Sequence, residues 1–185
     1  MANDTTKVTA GQPKPGGYSF IAPVGTALPT DATTALNSAF ECLGYISEDG
    51  VTETPNIESE DILDWGGDVV LSPLTSKTTE WSAEYIESMN EVVLKMVYGD
   101  SNVTVTNDGD ITITGNADDL EPQSFVFEMK QTGNVPYRLV IPKGKISNIA
   151  ETTYARGSAV GYNVTIKGLP DASGNSFYKY YGTAS

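Results

Sequence analysis

Apolar and polar residues alternate with a two-residue period over most of this chain, and only one stretch keeps the period of a helix. Lys77–Ile86 is the clearest alternation, with Trp81, Ala83 and Tyr85 on one side and Glu80, Ser82 and Glu84 on the other. It predicts a half-buried strand. Val103–Val105 and Ile111–Ile113 alternate around Asn107-Asp108-Gly109, which predicts a hairpin because glycine accepts the backbone angles of a tight turn. Ser124–Lys130 and Tyr137–Ile141 read as two further strands, with a turn expected at Pro142-Lys143-Gly144. Lys145–Tyr154 and Ala159–Leu169 are longer strand candidates.

Upstream, Tyr18–Val24 predicts a short strand that Pro23 confines to a sheet edge. Phe40–Ser47 predicts another, ending in a turn at Asp49-Gly50. Asp68–Leu71 is a third, after a turn at Gly66-Gly67. Between them Gly50–Asp64 is long and acidic, and Ile57–Trp65 is expected either to continue a long hairpin or to form a flap. The helical stretch is Ser88–Tyr98. Met89, Val92, Val93, Met96 and Val97 fall on one stripe, Ser88 and Glu91 have the spacing of a capping box, and Gly99 supplies the stop.

These elements predict a mainly β fold, a β-sandwich or open barrel of about eight to ten strands with one flanking helix over about residues 88–98. Three regions are expected. Residues 1–17 form a flexible arm broken by Gly11, Pro13, Pro15, Gly16 and Gly17, residues 18–170 the folded domain with a long loop at 50–64, and residues 171–185 a tail. The tail carries Phe177, Tyr178, Tyr180 and Tyr181 and is expected to pack back or to swap onto a neighbour.

Charge changes the picture. The net charge is −13, yet it is unevenly placed: residues 15–76 hold ten acids and no Lys or Arg, while residues 130–185 are net basic. This balance argues against tight nucleic-acid binding, which needs a basic footprint. It suits either simple solubility or head-to-tail contact between copies. There is no histidine and one cysteine. That excludes a Cys-His nucleophile pair, a zinc site and an internal disulfide. Cys42 is expected as a buried, inert thiol. Glu58, Glu60, Asp61 and Asp64 are the remaining carboxylates for acid–base work, and a solvated acidic loop accounts for them. Asn107–Asp110 and Asp118-Asp119 fit no calcium loop. No enzyme, cofactor or metal is expected. The polar N-terminus lacks the apolar region of a signal peptide and no run is long enough to span a bilayer, so synthesis in a cytoplasm and no membrane contact are expected. Ile62, Leu63 and Trp65 form an apolar tip that is expected to be covered, either by its own domain or by another surface.

Three segments in order, Gly25-Thr26-Ala27-Leu28-Pro29, then Leu43-Gly44-Tyr45-Ile46-Ser47-Glu48-Asp49-Gly50-Val51, then Trp65-Gly66-Gly67-Asp68, resemble the major tail protein of long-tailed siphophages. The likeness spans roughly residues 18–170 and extends to the later order of strand, helix ending at Tyr98-Gly99, hairpin and paired strands. The resemblance implies a structural virion protein that builds a tail tube of stacked hexameric rings. Genome DNA passes through the bore without specific binding, and a tape-measure protein and tail-end proteins are partners. It further implies inter-ring contacts through the arm and through Ile57, Ile62, Leu63 and Trp65, and bore-facing acids such as Glu80 and Glu84. A carbohydrate-binding β-sandwich is the alternative reading, favoured by the tyrosines and acidic loops.

Overall fold

The computed structural model describes residues 3–15 and 18–183. Gly16 and Gly17, two of the expected breakers in the arm, lie outside the described residues, as do both chain ends. In chain order the elements are β1 (Gln12–Pro13), β2 (Ser19–Pro23), β3 (Glu41–Cys42), β4 (Ile46–Ser59), β5 (Ile62–Leu63), β6 (Val69–Leu71) and β7 (Leu74–Tyr85). Then follow α1 (Glu91–Tyr98), β8 (Val103–Val105), β9 (Ile111–Ile113), β10 (Gln123–Gln131), β11 (Val135–Ile149), β12 (Tyr162–Gly168) and β13 (Tyr178–Tyr181). Nine strands form one antiparallel sheet in the order β3-β2-β10-β11-β12-β7-β4, with β1 added on β10 and β13 on β11. The pairs β5–β6 and β8–β9 stand as separate ribbons. The mainly β architecture with one flanking helix is therefore as expected.

The alternation at Lys77–Ile86 does what the sequence predicts. Trp81, Ala83 and Tyr85 are buried, and their ladder partners Val164 and Ile166 on β12 face the same way. Phe125, Phe127, Leu139 and Ile141 complete this wall, and α1 closes it with Val93, Leu94, Met96 and Val97. Trp81 anchors the centre. Its indole N–H donates to Glu53 at 3.1 Å and the Phe177 ring meets it edge-on at 5.3 Å.

The helix begins later than its apolar stripe suggested. Asn90, not Ser88, is the N-cap and accepts from the Val92 N–H at 3.0 Å. Met89 therefore precedes the helix and is exposed, while Leu94 joins the buried face. The reason is Glu87. Its carboxylate accepts from the Asn90 side chain and from the Tyr45 N–H, so it holds the cap and an incoming strand together. Gly44 makes room for this. It has φ +76, and a Cβ there would lie 2.1 Å from the Glu87 carboxyl carbon. The same turn splits the strand expected at Phe40–Ser47 into β3 and β4.

Two predicted turns are strand instead. Asp49-Gly50 lies inside β4, where the register against β7 shifts between Ile46 and Val51; Gly50 at φ +70 forms part of this bulge. Pro142-Lys143-Gly144 lies inside β11. That strand pairs with β13 along Tyr137–Val140 and with β12 from Gly144, so Pro142 falls in the changeover, where no ladder includes it. A proline lacks an N–H and is tolerated in such a gap.

The opposite face of β10 and β11 is also buried. Ala22, Val126 and Val140 lie there with Arg138, which is 1% exposed. The guanidinium pairs with Glu128 and donates to the carbonyls of Asp31 (2.7 Å) and Thr34 (2.9 Å). Glu128 also receives Lys14, the residue after β1. One charged pair thus pins the 31–34 loop and, through Lys14, the N-terminal segment. Within the loop the Asp31 carboxyl is held well below the usual carboxylate range by the Thr34 hydroxyl and the Thr34 and Thr33 N–H groups. The tail packs back on its own chain through β13.

Removing one partner of a buried pair leaves the other charge stranded. Arg138→Ala is expected to cost about 3–5 kcal/mol, read as a lowered midpoint in urea unfolding.

Candidate assembly surface

Strands β4 and β7 pair from Val51↔Ala83 out to Ser59↔Leu74. β12, the other neighbour of β7, goes only as far as Lys167↔Glu80. Beyond Glu80 the sheet is therefore a two-stranded ribbon with both backbone edges unpaired among the described residues. It ends in the short β5–β6 ribbon, turned by Asp64–Asp68. There the Asp64 N–H donates to the Asp68 carbonyl, the Asp68 N–H to the Asp64 carboxylate, and Gly67 takes φ +93. Of the two expectations for Ile57–Trp65, the long hairpin is the one observed, and residues 50–59 are strand rather than loop.

The ribbon carries apolar side chains that nothing covers among the described residues. Trp65 is wholly exposed, Ile57 is 66% exposed, and Ile62 and Leu63 are also exposed. The structure brings Ile62, Leu63 and Trp65 together at the tip and sets Ile57 further down, opposite Lys77. Val69, Val70, Leu71 and Leu74 belong to the same exposed set, and sequence reasoning missed them. The apolar run Val69-Val70-Leu71 was visible, but only its register against Ile62 and Leu63 shows that it forms the other half of the tip. Glu58, Glu60, Asp61, Asp64 and Asp68 stud the same segment. Asp61 accepts from Ser72 Oγ and Asp64 from the Asp68 N–H, so these two carboxylates shape the tip.

Glu80 and Glu84 stand elsewhere, on the outer face of the sheet behind Trp81 and Ala83. By alternation and register they share that face with Thr52, Thr54, Asn163 and Thr165. Glu80 lies opposite Lys167 and accepts from Ser147 Oγ at 3.4 Å. Glu84 lies against Gly161, where a Cβ would be 2.6 Å from its Oε1. Cys42 is exposed rather than buried, because β3 is a short outer strand paired only with β2. Among the described residues no group of three or more His, Cys, Asp or Glu is placed to hold a metal ion, and no helix is long and apolar enough to cross a membrane.

Every residue from 60 to 73 is exposed, so removal of the tip should be silent for the fold. Replacing residues 60–73 by an Asn-Gly turn is expected to change unfolding free energy by less than about 0.5 kcal/mol in a chemical denaturation series.

The family model for phage tail tube protein matches residues 1–184. No curated protein matches the chain.

Proposed function

Because this chain belongs to the phage tail tube protein family, we propose that its copies close into hexameric rings that stack into a hollow tube, the conduit for genome DNA. The family gives the chain a structural role in the virion tail. The observation that carries the finer reading is the β4–β7 ribbon. A two-stranded hairpin with free edges and exposed apolar side chains is marginal alone in water. Contact with identical copies supplies what it lacks: edge pairing removes the open backbone, and burial of Trp65, Ile62 and Leu63 removes the apolar surface. Because a tip and whatever receives it are different surfaces, the contact is heterologous and can repeat without closing, which yields a filament.

The outer face of β12, β7 and β4 is our candidate for the bore wall. Hydroxyl and amide side chains dominate it, and its acids Glu80 and Glu84 oppose any grip on phosphate. The two lysines that adjoin on that side are each matched by an acid, Lys167 by Glu80 across from it and its β11 neighbour Lys145 by Asp119. A tape-measure protein would occupy the same bore before DNA.

Concentrated or seeded protein is expected to form hollow tubes in negative-stain micrographs, and Trp65→Asp is expected to leave a folded monomer. Acrylamide quenching follows the same event: strong for Trp65 in dilute protein and lost on assembly. Wild-type protein that stays monomeric when seeded at high concentration would sink the proposal.

A further inference from the structure

The exposed tip is acidic and apolar, and one cavity of this same chain has the complementary character. It measures about 350 Å3 and is lined by Val24, Leu28, Pro142 and Pro170, with Lys143 and Asp171 as its charged lining residues. That volume is within the roughly 300–1,000 Å3 of pockets that hold a compact apolar body. Lys143 is half-buried and makes no ion pair among the described residues. Asp171 is already satisfied, by the N–H groups of Ser173 and Asn175 and the Tyr178 hydroxyl. Asp171 keeps its negative charge, but both of its oxygens are taken by these donors, which leaves Lys143 as the charged group of the lining free to pair with an incoming carboxylate. A larger cavity of about 500 Å3 beside α1 has Glu41, Asp100, Asp118, Asp119 and Glu121 in its lining against Lys95 alone, an acidic balance that repels an acidic tip.

We propose that the Val24–Leu28–Pro142–Pro170 cavity is the socket into which the Trp65 tip of a second copy inserts, with Lys143 answering the tip's carboxylates. This rests on the tube reading above. The position of the socket favours a second copy over the chain's own tip. Lys143 accepts the Leu169 N–H through its carbonyl, next to Gly144↔Gly168, at the level where β7 leaves its last β12 partner. The ribbon then runs on from Glu80 to Leu74, about 20 Å at roughly 3.3 Å per residue, before the tip begins. Tip and socket of one chain are thus separated by the length of a hydrogen-bonded ribbon that cannot fold back without breaking its ladder. A copy displaced along the ribbon by that length brings its socket to the tip. Repeating one such displacement is how a stack grows.

Charge reversal tests this, with tube formation against protein concentration as the readout and thermal melting as the fold control. Asp68 is the partner to reverse, because its carboxylate makes no hydrogen bond within the tip whereas that of Asp64 does. Lys143→Glu and Asp68→Lys are each expected to raise the concentration needed for tubes by more than about tenfold, and the double variant is expected to recover most of that loss. Lys143→Gln and Asp68→Asn, with smaller losses expected, carry the test should either reversal fail to fold. Single variants that assemble like wild type, or a double variant no better than the worse single, overturn the socket. If Trp65→Asp blocks tubes while Lys143→Glu does not, only the socket falls. If Trp65→Asp assembles normally, the tube contact itself is wrong.

Discussion

A strand pair has four surfaces to satisfy, two faces and two edges, and beyond Glu80 the β4–β7 ribbon has both edges unpaired among the described residues and, past the buried Thr79, mostly exposed faces. Every other part of the sheet is at least three strands wide or lies under α1 or the 31–34 loop. The mismatch comes from lengths alone: β12 ends at Gly168, but β7 continues to Leu74 and β4 to Ser59. Such a projection persists in a sequence only where something covers it. On the proposed reading, self-association of the tube protein supplies that cover.

The body of the protein is built to hold the ribbon's root still. Trp81 fixes the last fully packed rung of β7, braced by Glu53 through its indole N–H and by Phe177 against its ring. Lys179 links that brace to β13, since it reaches the Glu53 carboxylate and lies 5.2 Å over the Phe177 ring. On the far side the Arg138–Glu128 pair collects three segments distant in sequence, the Lys14 segment, the 31–34 loop and the β10–β11 hairpin. A buried pair of this kind is a weak source of net stability but a strong specifier of arrangement. Here the arrangement closes the non-core face over β2, β10 and β11, while the same face over β12, β7 and β4, which bears Glu80 and Glu84, stays open.

That open face explains why an acidic protein need not present a uniformly acidic wall. Five of the ten acids in residues 15–76, Glu58, Glu60, Asp61, Asp64 and Asp68, sit on the projecting ribbon and its tip, beyond the stretch of sheet that bears Thr52, Thr54 and Thr165. On the proposed contact, acidic charge is concentrated where copies meet, so opposite charge on the receiving surface favours stacking.

The sequence by itself determined the strands that alternate, the helix, the Asn107–Gly109 hairpin, and the type of the unusual tip. These are signals within a few residues of each other, carried by side-chain period and turn chemistry. It misplaced the helix start because the competing cap, Asn90, is selected by Glu87, whose second partner is Tyr45 more than forty positions away. It read turns at Asp49-Gly50 and Pro142–Gly144 because glycine and proline usually mark them. Only the ladder shows that one is a bulge and the other a gap between two partners. The proposed socket was not legible at all, since its walls come from four separated segments. What the tertiary structure alone decided is how long each strand stays paired. That depends on where its neighbour ends, and the end of a neighbour is not written in the strand's own residues.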